Sequence, residues 1–138
     1  MNDPIPKPLF TAPIEVRWRD LDAFNHVNNS VYLTYLEQAR LDWLAHLPGI
    51  WDKANGKPVM AACQLNYRAP IQWPASVEVH LHAERTGNSS IVLGHRILDR
   101  KDSRLYCDGN VTLVWIDPHA GKPVSLPSVL REAVQAAD

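Results

Sequence analysis

From Ile14 to Asp20 the chain alternates, with Ile14, Val16 and Trp18 against Glu15, Arg17 and Arg19. A period of two predicts a strand with one buried face. In "SVYLTYLEQARLDWLAHL" the apolar positions Tyr32 (or Val31), Tyr35, Leu36, Ala39, Trp43, Leu44 and Leu47 recur at steps of three and four. That spacing puts them on one face of a helix, which Pro48 and Gly49 bring to an end. The rest reads as strands. "KPVMAACQLNYRAPI" (57–71) is long and apolar, and "SVEVHLHAERTG" alternates Val77, Val79, Leu81 and Ala83. "SIVLGHRILD" and "RLYCDGNVTLVWID" (104–117) follow, the last with Gly109 as an expected bulge. "PSVLREAVQAA" predicts a short C-terminal helix opened by Pro127 and Ser128. Short turns after Gly87 and around Lys101 favour antiparallel pairing.

Strand, long helix, then four strands is an α+β order. One helix and one antiparallel sheet bury each other's apolar faces, with the sheet of about five strands curled around the helix. With 138 residues the expectation is a single domain, 1–138, with a proline-stiffened N-terminal arm over 1–12. The free sheet edges, and a second face carrying Val92 and Leu98, predict a homo-oligomer.

Charge and composition then remove several classes. A formal net charge of -1 argues against a nucleic-acid partner, which calls for a basic face. No apolar run reaches the ~20 residues that span a bilayer, and "MNDPIPKPLF" lacks the pattern of a secretion signal. Cys63 and Cys107 sit in apolar strand-like runs, so buried, reduced thiols and a cytoplasmic location are expected.

The chemistry concentrates in one junction. "RDLDAFNHVNNS" places Asp20, Asp22, His26, Asn28 and Asn29 between a strand and the start of the long helix. The first N–H groups of that helix lack internal acceptors and favour a carbonyl oxygen or an anion. A carboxylate beside them can act as base or nucleophile on the polarised carbonyl, which amounts to the parts of an acyl-transfer site. Helix capping is the competing use, because Asn28, Asn29 and Ser30 are all cap-forming types. A metal is a third use, although two carboxylates and one histidine make a poor ligand set. Glu37 and Arg40, three apart on the helix, read as an ordinary ion pair. Trp18, Trp43, Trp73 and Trp115 read as core or interface.

"DLDAFNHVNNSVYLTYLEQAR", together with "YRAPI", "GNSS" and "LPSVLREAV", resembles the 4-hydroxybenzoyl-CoA thioesterase-like family of hotdog-fold acyl-CoA thioesterases. The resemblance implies a hotdog fold and hydrolysis of an acyl-CoA without a metal or redox cofactor, in a homodimer or homotetramer. It implies that Asp22 is the catalytic base or nucleophile and that the backbone N–H at Asn29 polarises the carbonyl. His26 and Asn28 would position these parts, and Tyr32 matches the helical tyrosine. Asn25 stands where the family has glycine, and asparagine tolerates left-handed backbone angles. Arg68 heads the candidates for contact with the coenzyme A phosphates, followed by Arg85, Arg96 and Arg104. Acyl-carrier-protein thioesterase, a hydratase on the same fold, and non-catalytic acyl-CoA binding are the alternatives.

Overall fold

The computed structural model describes residues 6–137. Five strands run β1 (Phe10–Glu15), β2 (Lys57–Tyr67), β3 (Ser76–Thr86), β4 (Ser90–Asp99) and β5 (Leu105–Ile116). Helix α1 (Asn29–Ala45) lies between β1 and β2 in the chain, and α2 (Ser128–Ala136) closes it. Short 3-10 turns occupy Trp18–Asp20 and Lys53–Asn55. The strands form one antiparallel sheet in the order β1-β3-β4-β5-β2. This is the α+β arrangement expected, with α1 laid across one face.

The core forms where the two periodicities meet. Alternation turns Val77, Val79 and Leu81 of β3, and Ile91, Leu93 and Ile97 of β4, onto the inner face, each at most 1% exposed. Helix α1 lowers Tyr32, Tyr35, Leu36, Ala39, Trp43 and Leu44 onto them. Burying a side chain such as Leu36 stabilises by about 1.5–3 kcal/mol. The helical face read from the sequence is therefore the buried one. The far side of α1 is not wholly polar, since Leu33 and Leu41 are exposed.

Several expectations require correction. The first strand ends at Glu15, the second residue of the expected run, and begins at Phe10 rather than after an arm over 1–12; of that arm, residues 1–5 lie outside the described residues. The cause is the length of its partner. β1 pairs with β3 from Phe10↔Leu81 to Glu15↔Ser76, where β3 begins. Past that point Asp20 draws in the Arg17 N–H at 2.9 Å and bends the chain into the 3-10 turn. Trp18 consequently points outward at 70% exposure, and Trp73 is exposed as well. Trp43 and Trp115 are core. Gly109 does not mark a bulge; the shift in β2–β5 pairing lies between Met60 and Ala62. Gly109 is needed for another reason. Its φ is +147°, and a Cβ there would sit 1.9 Å from the Gln64 carbonyl oxygen.

Cys63 is exposed and only Cys107 is buried, both as free thiols. Cys63 lies on β2, an edge strand most of whose residues are exposed. Arg40 is not half of a surface ion pair. It is 6% exposed on the buried side of α1, and its Nη1 has no partner among the described residues.

One inner-face position breaks the apolar pattern. His95 continues the row Ile91, Leu93, Ile97 and is 1% exposed. Its Nε2 lies 3.2 Å from the Gln64 carbonyl oxygen, while Nδ1 is buried without a partner. Burial, aided by the nearby Arg40 charge and opposed by the Gln64 carbonyl, pulls its pKa down to about 4. The folded protein thus holds this ring neutral at pH values where an unfolded chain, near 6.5, protonates it. Stability is expected to fall as pH drops from about 6.5 to about 4, by on the order of 3 kcal/mol from this residue alone. Urea unfolding across that range checks it, and His95→Gln is expected to flatten the slope.

Candidate active site

The loop between the first 3-10 turn and α1 is held at both ends. Asp20, 4% exposed, accepts the Tyr35 hydroxyl at 2.6 Å and the Arg17 N–H at 2.9 Å, with the Arg17 guanidinium at 3.3 Å. Its backbone carbonyl takes the Asn28 N–H at 2.9 Å. Burial pushes the Asp20 carboxyl up, yet these donors and the Arg17 charge outweigh it, leaving the pKa below its ordinary value. At the other end the Val27 N–H reaches the Ile71 carbonyl at 2.8 Å. Leu21 and Val27 bridge the loop's base. Between them the Asp22 N–H donates to the His26 carbonyl at 2.9 Å, closing a tight turn. That turn needs one left-handed residue, and Asn25 supplies it at φ 61°. Asparagine therefore does the conformational work of the glycine found in the resembling family.

Two neighbouring aspartates are thereby given different tasks. Asp20 faces the core and anchors α1. Asp22 faces a cavity of about 460 Å³ lined by its own side chain with Phe24, His26, Asn29, Tyr32, Tyr67 and Arg68 among others. Its Oδ1 takes the Phe24 N–H at 2.9 Å, which fixes the carboxylate and leaves Oδ2 unengaged among the described residues.

Five of the residues singled out in the sequence (Asp22, His26, Asn29, Tyr32 and Arg68) meet in this one cavity. Asn28 does not line it. Its Oδ1 accepts both the Ser30 N–H at 2.9 Å and the Ser30 hydroxyl at 2.6 Å, so it is the N-cap of α1. The Asn28 side chain, expected to position reacting groups, is engaged in this cap. The cap has a consequence for its neighbour. Ser30 and Val31 donate to Asn28, while the Asn29 N–H has no acceptor among the described residues. That N–H stands at the positive end of a 17-residue helix and at the cavity wall, where it can take a developing negative oxygen.

Tyr67 was missed by the sequence reading. Its hydroxyl donates to the Asn29 carbonyl at 3.0 Å, and its ring meets Tyr32 edge-on at 4.9 Å. The Tyr32 hydroxyl makes a long 3.5 Å contact with the Ala69 carbonyl. The end of β2 is thus strapped to the first turn of α1. Strand parity signals it, because Cys63, Leu65 and Tyr67 alternate onto the face that α1 covers. Arg68 points the other way, its Nη2 and Nε 3.0 and 3.2 Å from Asp108 Oδ1. Arg85 and Arg104 do not line the cavity. Among the described residues no three of His, Cys, Asp or Glu gather where they could hold a metal ion. No described helix is long and apolar enough to cross a membrane.

An α+β fold that sets a carboxylate and an unpaired helix N–H at one cavity holds the parts of an acyl-transfer site. The chain belongs to the thioesterase-like superfamily, whose family model matches residues 16–134. It is a thioester hydrolase. It is 30% identical over 124 residues to the long-chain acyl-CoA thioesterase FadM of Escherichia coli K12, covering 88% of this chain and 94% of that protein. Among solved structures, a Thermus thermophilus thioesterase complexed with coenzyme A and zinc is 30% identical, with a TM-score of 0.80 and 94% of each chain covered. A Xanthomonas campestris protein is 50% identical, with a TM-score of 0.75 over 81% of this chain and 96% of that one. The fold is accordingly the hotdog expected.

Asp20→Asn removes a charged acceptor from three donors and is expected to cost about 1–3 kcal/mol of stability. Hydrolysis per folded molecule is expected to change far less. Thermal unfolding set beside active-site-normalised rates checks both statements.

Proposed function

We propose that this protein hydrolyses acyl-CoA, with Asp22 as the general base for water and the Asn29 N–H as the oxyanion donor. The observation that carries the reading is the convergence of Asp22, His26 and the uncapped Asn29 N–H on one cavity. Water, deprotonated by Asp22, adds to the thioester carbonyl carbon. The carbonyl oxygen takes up negative charge against the helix N-terminus. The tetrahedral intermediate then collapses, the C–S bond breaks, and the proton held by Asp22 passes to the departing thiolate. His26 on the same wall orients water or the leaving sulfur. The match of the loop to the 4-hydroxybenzoyl-CoA thioesterase-like pattern supports these roles, and the FadM relative supports an acyl-CoA substrate. The donor set supports a reaction without a metal, since Asp20 is spent on Tyr35 and only Asp22 and His26 remain as ligand types. Two free cysteines accord with a reducing, cytoplasmic setting.

Asp22→Asn is expected to fold normally and to lower kcat by roughly a hundredfold or more. A thiol-trapping assay on a panel of acyl-CoA substrates, run with EDTA present, measures it. Rates near wild type would remove Asp22 from the mechanism. Faster turnover of the same acyl group on acyl carrier protein would change the substrate. Binding without turnover in the unaltered protein would make it a carrier.

The same reading includes a homodimer as the smallest working unit. β2 has one bonded neighbour, β5, and carries exposed Val59, Met60 and Tyr67. An edge so long and apolar is a template for a second strand. Light scattering at micromolar concentration is expected to return the mass of two chains or more. A monomer mass would contradict it.

A further inference from the structure

The walls of the cavity come from two separate parts of the chain. One is the loop and first turn of α1, with Asp22, Phe24, His26, Asn29 and Tyr32. The other is the end of β2 and the residues after it, from Tyr67 to Pro70. Asp22 and the Asn29 N–H share the first wall, and the second confines whatever lies against them.

Helix ends fray, and the bonds made within the first wall move with it. The Val31 N–H on the Asn28 carbonyl, at 2.9 Å, orients the peptide that carries the Asn29 N–H. Asn28 Oδ1 takes the Ser30 N–H at 2.9 Å. Neither bond ties the end of the helix to the sheet.

Two tyrosines do. Tyr67 reaches from β2 and donates its hydroxyl to the Asn29 carbonyl at 3.0 Å, while Tyr32 reaches from α1 toward the Ala69 carbonyl at 3.5 Å. Their rings meet edge-on with centroids 4.9 Å apart. Each hydroxyl thus addresses the other element's backbone, and the pair makes a reciprocal clasp. Its halves are unequal. The Tyr32 contact is at the limit of a hydrogen bond, whereas that of Tyr67 has ordinary length. The strand behind Tyr67 is firm. Tyr67 pairs with Cys107 on β5, and the Arg68 and Ala69 N–H groups reach the Tyr106 carbonyl at 2.8 and 3.2 Å.

The Tyr67 bond falls on the peptide after the one that carries the Asn29 N–H. It therefore governs where that N–H stands and not how polar it is. Position is what a preorganised oxyanion donor has to supply, since a misplacement of ~1 Å costs about a hundredfold in rate.

We propose that Tyr67 is a positioning residue for the hydrolysis, its hydroxyl holding the Asn29 N–H where the thioester oxygen gains charge. The inference rests on the acyl-CoA reading above and adds a residue of the opposite wall that acts through Asn29.

The test is Tyr67→Phe, which removes the hydroxyl and keeps the ring against Tyr32. Tyr67 is 47% exposed, so the change leaves the fold intact. On an acyl-CoA that the wild type cleaves, kcat is expected to fall about fivefold, the equivalent of one neutral hydrogen bond. KM is expected to stay within about twofold. Two coenzyme A analogues that are not cleaved separate position from general stability. A trifluoromethyl ketone takes up water and presents a tetrahedral oxyanion, and a thioether has no carbonyl oxygen. Tyr67→Phe is expected to bind the ketone about fivefold more weakly than wild type and the thioether equally well. Tyr106→Phe is the control. It loses a hydroxyl bonded to Asp99 at 2.9 Å, away from the cavity, and is expected to lower the melting temperature while leaving the ketone-to-thioether ratio unchanged. An unchanged ratio in Tyr67→Phe overturns the proposal, whatever happens to kcat or melting temperature. Wild type that cleaves while the ratio stays put removes the role of Tyr67 alone. Wild type that neither cleaves an acyl-CoA nor binds either analogue overturns the thioesterase reading and this inference together.

Discussion

The site depends on one buried carboxylate that does not line the cavity. Asp20 gathers the Tyr35 hydroxyl, the Arg17 amide and the Arg17 guanidinium onto its side chain, and its own carbonyl holds Asn28. A buried charge is tolerated only with such a full set of donors. Having that set, it fixes where α1 begins and how the loop between β1 and α1 is strung. Asp22, two residues on, is left to face the cavity because Asp20 has already turned inward.

The same economy of donors decides what the start of α1 can do. Asn28 satisfies Ser30 and Val31, which stabilises the helix by an amount of order 1 kcal/mol. It leaves the Asn29 N–H open at the positive end of the helix. Tyr67 then fastens the Asn29 carbonyl from the neighbouring strand. Capping does not conflict with the catalytic role proposed for this asparagine-rich segment. Asn28 caps, and the cap leaves the N–H beside it without an acceptor among the described residues.

The two faces of the sheet differ in kind. Its inner face is apolar apart from His95 and closes on α1, while its outer face carries the polar rows around Arg96 and Gly94. Arg68, one residue past the end of β2, lies where both surfaces are in reach.

Much of this was legible in the sequence because the signals are local. Periods of two and of three to four placed β3, β4, β5 and both helices within a few residues of their bounds. The Asp-x-Asp and His-Val-Asn-Asn string located the site, and Asn25 was readable as a left-handed position from its residue type. What the sequence could not decide turned on partners distant in the chain. The end of β1 follows from where β3 begins, and the outward turn of Trp18 follows from that end. Asn28 and Asp20 were separable from Asn29 and Asp22 only once Ser30 and Tyr35 had claimed them. Gly109 is set by the Gln64 carbonyl 45 residues away, and Arg40 and His95 are buried by the curl of the sheet over α1. Residue types and their spacing determined which groups were present and in which elements. Only the tertiary contacts decided which of those groups were already satisfied and which remained free to act, because a donor or acceptor that has found a buried partner is no longer available to a substrate.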